Sequence, residues 1–125
     1  MAASGSSKKI LVVDDDPDIL DAIQFALEDE GYAVATSEKG EYAENLRDDN
    51  GGLPDLIILD VLLSGKDGRL ICRKLKGQEE TRHIPIIMIS AHPGADRSVR
   101  EVGADDFLAK PFEVDALLAK VARYV

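Results

Sequence analysis

The sequence is short of basic charge, of cysteine and of long apolar runs, and each shortage removes a class of function. Fifteen Lys and Arg stand against 24 Asp and Glu, a net charge of −9 over 125 residues. A surface that acidic repels phosphate backbones and anionic lipid, which argues against direct binding of nucleic acid or of such membranes. Cations, and proteins with basic patches, are the expected company. The single cysteine, Cys72, rules out an internal disulfide and fits a reducing, cytoplasmic setting. It lies in an apolar helical stretch and reads as core, not as a nucleophile. No apolar run approaches the roughly 20 residues of a membrane span, so no membrane insertion is expected. Residues 1–7 lack the basic and apolar segments of a signal peptide and are expected to be a disordered tail or an expression remnant. Internal repeats, low-complexity tracts and linkers are missing too. What remains, 45% hydrophobic and 31% charged, is ordinary for one globular domain, placed at residues 8–125.

The hydrophobic residues come in short runs. In Pro54-Asp55-Leu56-Ile57-Ile58-Leu59-Asp60, four apolar residues lie between two acids, which suits a strand buried on both faces. Ile10 to Val13 is a similar run ending in Asp14-Asp15-Asp16. Pro17 follows as a first helical residue with Asp16 as its cap, and Ile19, Ile23, Ala26 and Leu27 repeat at helical spacing up to Gly31. Tyr32 to Thr36 reads as an outer strand, and Glu38 to Asp49 as a weakly amphipathic helix. Leu70, Ile71 and Leu75 give a third helical face that Gly77 ends. Ile84 to Ile89 is a fourth strand closing at Ser90. Ala95 to Val102 is a short polar helix stopped by Gly103. Phe107 to Ala109 is a brief fifth strand, and Val114, Leu117, Leu118 and Val121 form a last helix face. Five strand–helix units in alternation predict an α/β fold: a parallel sheet with helices on both faces and right-handed crossovers. At about 22 residues per unit an open sheet fits better than a barrel of ~250 residues.

Open sheets of this kind bind ligands beyond the carboxyl ends of their strands. Here those positions hold Asp14, Asp15, Asp60, Ser90 and Lys110. Taken singly, each has a plain reading: a helix cap, a strand-end hydroxyl, a solvated turn. Taken together, three acids would repel one another unless neutralised, and Mg²⁺ is a hard cation that accepts one or two carboxylates while keeping waters. A metal and Lys110 together suit a phosphoryl dianion, Ser90 can donate to its oxygens, and Asp60 is the carboxylate able to accept it covalently.

The motifs resemble those of the response-regulator receiver domain of two-component signalling. Leu11 to Pro17 resembles the family's first-strand motif, Asp55 to Asp60 followed by Gly68 its phosphoacceptor motif, Ser90-Ala91 its Thr/Ser-Ala step, and Gly103 to Phe112 its last strand and Lys-Pro turn. The resemblance implies a flavodoxin-like doubly wound sheet of order 2-1-3-4-5. It implies that Asp60 takes a phosphoryl group from a phosphohistidine on a sensor histidine kinase or histidine phosphotransfer protein. Asp15, Asp60 and the Leu62 carbonyl would coordinate Mg²⁺, with Asp14 holding metal-bound water. Lys110, before a cis Pro111, would pair with the phosphoryl oxygens. Ser90 and Phe107 would act as the switch, reporting to a surface of the fourth helix, fifth strand and fifth helix. That surface would control a downstream protein or output domain, and a homodimer is one arrangement it allows.

Three departures from the pattern stand out. Ser64 replaces a common proline, which predicts a more mobile loop. Phe107 lacks the hydroxyl of the tyrosine found in some members. Leu62 offers no polar group to an attacking water, though His92 does, so slow-to-moderate phosphoryl loss is expected. Rival readings are weaker. Haloacid-dehalogenase-type phosphatases need an aspartate where Leu62 stands, and an FMN phosphate would meet repulsion at Asp14-Asp15-Asp16. The remaining alternative is a receiver-fold interaction module that is seldom phosphorylated.

Overall fold

The computed structural model describes residues 7–46, 52–92 and 94–125. The anticipated tail falls almost wholly outside the described residues, as does the anticipated helix over 47–49. The strands are β1 (Lys9–Val13), β2 (Ala33–Ser37), β3 (Leu56–Asp60), β4 (Leu62–Leu63), β5 (Lys66–Asp67), β6 (Ile86–Ser90) and β7 (Asp106–Ala109). The helices are α1 (Pro17–Asp29), α2 (Gly40–Glu44), α3 (Gly68–Lys76), α4 (Ala95–Glu101) and α5 (Val114–Tyr124).

Five strands form one parallel sheet in the order β2-β1-β3-β6-β7. Counting only the sheet's own strands this is the expected 2-1-3-4-5, because β4 and β5 pair antiparallel in a separate ribbon. Strand β3 lies centrally and is buried along its whole length. Alternation along the strands divides the core into two layers. Leu11, Val13, Ile57, Leu59, Ile86 and Met88 pack under α2, α3 and α4 through Ala43, Ile71, Cys72, Leu75, Ala95 and Val99. Ile10, Val12, Leu56, Ile58, Ile87 and Ile89 pack under α1 and α5 through Leu20, Ile23, Leu27, Leu117 and Val121. Each fully buried Leu or Ile of β3 contributes about 1.5–3 kcal/mol relative to exposure, so the strand that ends in Asp60 is held as firmly as the equally buried β6 beside it.

Several local expectations hold. Asp16 caps α1, its Oδ1 accepting from Asp18 N at 2.9 Å, with Pro17 in the first turn. Gly31 takes a φ of 96° just past that helix, where a Cβ would be strained. Others need correction. Helix α2 ends at Glu44, and Asn45 spends its side-chain amide on the Glu41 carbonyl, competing with helix continuation. Strand β6 begins at Ile86, not Ile84, because Pro85 has no N–H for the ladder, though its carbonyl still accepts from Ile57 N. Leu70 faces solvent, and the buried stripe of α3 is Ile71, Cys72 and Leu75. Val114 is likewise exposed. The β4–β5 ribbon has no counterpart in the sequence reading, since two-residue strands carry no periodicity.

Candidate functional site

Parallel pairing brings every carboxyl-terminal strand end to one edge. Val13 is followed there by Asp14 and Asp15, β3 ends on Asp60, β6 on Ser90, and β7 leads into Lys110. Asp14, Asp15 and Asp60 each present a carboxylate oxygen, and these oxygens lie within 4.8 Å of one another. Lys110 Nζ sits 3.0 Å from Asp14 Oδ2 and 3.3 Å from Asp60 Oδ2. Asp14 is fully buried and Asp60 nearly so, while Asp15 is the most open of the three. Backbone groups fix the inner pair. Asp14 Oδ1 accepts from Asp16 N at 2.9 Å, and the nearby backbone N–H of Leu62 favours the charged Asp60 carboxylate.

The charges are unevenly compensated. Burial, and then the neighbouring Asp14, push the Asp60 carboxyl up to about 6, with Lys110 opposing. Burial alone would lower the Lys110 ammonium, but the carboxylates of Asp14 and Asp60 outweigh it and the net shift is upward. Among the described residues Asp14 Oδ2 is the one buried side-chain oxygen that no donor reaches in hydrogen-bonding geometry; Lys110 meets it as an ion pair only. Three carboxylates against one ammonium, with an under-satisfied oxygen between them, fit a divalent cation. The donor set is all oxygen, which suits Mg²⁺ rather than a softer metal.

The loop after Asp60 is folded back against the site. Val61 N donates to Ile89 O, and Gly68 N donates to Val61 O at 2.6 Å, closing the ribbon at its base. A Cβ on Gly68 would strike the backbone oxygen of Asp60, so only glycine allows this approach. At its tip Ser64 Oγ donates to Asp15 Oδ2 at 2.9 Å. Lys66 pairs with Glu44 of α2 at 3.0 Å. Asp67 caps α3 and holds the Arg69 guanidinium in a two-pronged pair of 2.9 and 2.7 Å, and Arg69 donates onward to Ser98 of α4 at 3.1 Å. Beside the loop a cleft of about 330 Å³ opens between Leu62, Arg69, Ser90, His92 and Ser98.

With this geometry in view, comparison with known proteins is informative. The response regulator receiver domain profile matches residues 10–122. The chain belongs to this family. Over 115 residues the receiver is 40% identical to the phosphate regulon transcriptional regulatory protein PhoB of Rhizobium meliloti, covering 90% of this chain and 50% of that protein. It is 42% identical over 119 residues to the response regulator PleD of Caulobacter vibrioides, covering 92% and 25% respectively. The chain thus spans half or less of these relatives' length. Among solved structures, Thermotoga maritima TrrA in complex with Mg²⁺ and BeF superposes with a TM-score of 0.83 at 31% identity, covering 94% of this chain and 99% of that one. The BeF₃-activated DrrB receiver domain gives 0.81 at 32%, covering 94% and 97%.

In this receiver the residues singled out from sequence separate into two groups. Asp14, Asp15, Asp60 and Lys110 converge directly. Ser90 and Phe107 stand apart from them. Ser90 Oγ accepts from His92 N at 3.0 Å, and Phe107, paired in register with Met88, packs half-buried into the layer under α2, α3 and α4. The Leu62 side chain is exposed, while its backbone N–H serves Asp60. The Lys110–Pro111 bond is cis, as the resemblance implies. The Ser64 hydroxyl is bonded to Asp15, a tie that the argument from the missing proline did not include. Arg69 and Asp106 escaped the sequence reading. Asp106 is buried beneath Lys120 (3.0 Å), Tyr124 Oη (3.2 Å) and Arg123 (3.5 Å) of α5, with Arg100 of α4 at 3.7 Å. Two adjacent acids, Asp105 and Asp106, gave no sign of which one turns inward.

Proposed function

We propose that this domain is a phosphorelay receiver that accepts a phosphoryl group on Asp60 from a phosphohistidine of a sensor histidine kinase or histidine phosphotransfer protein in the cytoplasm. An Asp60 carboxylate oxygen attacks phosphorus, the new O–P bond replaces the P–N bond, and the electron pair leaves on the imidazole nitrogen, which takes up a proton. Asp15, Asp60 and the Leu62 carbonyl, with Asp14 through a water, would hold Mg²⁺, which would supply charge neutralisation for the transferring group. Lys110 meets the phosphoryl oxygens, and its contacts with Asp14 and Asp60 already aim the ammonium there. Ser90 exchanges its bond with His92 N for one to the phosphoryl group. Phe107 moves with it, since both lie on the α4 side of adjacent strands. The readout is the surface of α4, β7 and α5, which controls a partner or output domain. Helix α4 is suited to move: it buries only Ala95 and Val99.

The observation that carries this reading is the clustering of three carboxylates within 4.8 Å of one another, two of them on the Lys110 ammonium. Mass spectrometry after incubation with acetyl phosphate and Mg²⁺ tests it. The expected result is a gain of one phosphoryl group that is absent in Asp60→Asn. No gain, or a gain that survives Asp60→Asn, overturns it.

A further inference from the structure

Each carboxylate of the cluster has its own anchor. Asp14 is held by Asp16 N–H and Lys110, and Asp60 by Lys110. For Asp15, the most solvent-open of the three, the described residues provide one hydrogen-bond donor, the hydroxyl of Ser64 at 2.9 Å. Ser64 lies two residues past Leu62, in the turn of the β4–β5 ribbon. Its bond to Asp15 therefore joins two loops that reach the cluster from different strands, one from β1 and one from β3.

We propose that Ser64 is a positioning residue for the divalent-cation site, its hydroxyl holding the Asp15 carboxylate in place and tying the Leu62-bearing loop to it. The proposal rests on the reading of Asp15 and Asp60 as Mg²⁺ ligands. A hydroxyl that donates to Oδ2 leaves the carboxylate charged and Oδ1 free, and it removes rotamers that a metal would otherwise have to freeze out. Groups that orient metal ligands typically change affinity 10- to 100-fold when removed, and the exposure of this bond lowers the expectation to about three- to tenfold. A proline at this position, common in the family pattern, stiffens the loop but carries no donor.

Calorimetric titration of the full chain with MgCl₂ separates the two contributions. Ser64→Ala and Ser64→Pro are both expected to weaken Mg²⁺ binding about three- to tenfold, and Ser64→Thr, which keeps the hydroxyl, to bind within about twofold of the parent. In an Asp15→Asn background Ser64→Ala is expected to cause no further loss. Parent-like affinity in Ser64→Ala overturns the proposal. So does parent-like affinity in Ser64→Pro with a loss in Ser64→Ala, since stiffness rather than the hydroxyl would then matter. A parent chain that takes up no Mg²⁺ removes the metal reading itself, an outcome distinct from either.

Discussion

Asp60→Asn should make the metal-free domain more stable, and the margin can be worked from the site. Asp60 is nearly fully buried, next to Asp14, and its carboxyl is raised from the ordinary 3.8 to about 6. A displacement of that size corresponds to about 3 kcal/mol of unfavourable interaction for the ionised form. Relaxation of the loop and counter-ions reduces it, leaving about 1–2 kcal/mol as the expected gain near pH 7.5. For a chain of this length, at about 2.1 cal/mol/K per residue, that is a rise in Tm of roughly 4–8 °C. The sign with pH follows from linkage. A carboxyl raised in the folded state favours folding fully only below its unfolded pKa, and this contribution is lost as pH rises through about 6. The advantage of Asn should therefore shrink to about a third near pH 4.5 and vanish near pH 3. Melts followed by circular dichroism in EDTA measure it directly, and millimolar Mg²⁺ should narrow the gap by stabilising the parent alone. An Asp60→Asn variant no more stable than the parent near pH 7.5 in EDTA would refute the claim that burial and the neighbouring Asp14 disfavour the Asp60 charge.

Three further substitutions probe separate parts of the site. Lys110→Met leaves Asp14 buried without its cation, and should cost about 2–4 kcal/mol in metal-free denaturant unfolding. The same change should raise Mg²⁺ affinity about five- to tenfold, because a positive charge beside the ligands is gone; weaker Mg²⁺ binding would contradict this. Gly68→Ala drives a methyl group into the backbone oxygen of Asp60, with Met88 Cε close behind at 3.2 Å. A loss of about 2–3 kcal/mol or more in urea unfolding is expected, and a neutral result would mean that the loop is not held as closely as described. Leu62→Asn alters an exposed side chain, so stability should change by less than about 0.5 kcal/mol. An amide there can orient water toward the phosphoryl group, so phosphate release from the phosphorylated protein should speed up several-fold, and no change or slowing counts against it.

The strands of the sheet and the four converging side chains were legible because each depends on a signal that repeats along the chain, whereas the strand order came from the family resemblance. Apolar runs of four or five residues mark strands, and an acid or lysine at the end of such a run must fall on the shared edge. What escaped depends on tertiary pairing instead. Leu70 looked like core beside Ile71 and Leu75, but α3 is set by Gly68, which must face Asp60, and that rotation turns Leu70 outward. The β4–β5 ribbon is fixed by Ser64, Lys66 and Asp67 reaching to other elements, not by any local pattern.

Ser64 shows what a purely local argument leaves out. Losing a proline does widen the φ range of an isolated loop, and composition alone supports greater mobility. The hydroxyl that comes with the exchange finds an acceptor 49 residues earlier in the chain, and that acceptor is one of the crowded acids. Arg69 follows the same logic on the other side of the cleft. Held by Asp67, it reaches Ser98, so the loop that begins at Asp60 bonds to α4, a helix with only two buried residues, Ala95 and Val99. Under the proposed function, charge arriving at Asp60 acts on a loop connected at its tip to Asp15 and at its base to α4. The proposed switch through Ser90 and Phe107 on the sheet would then have a second route to α4, through Asp67 and Arg69 on the loop.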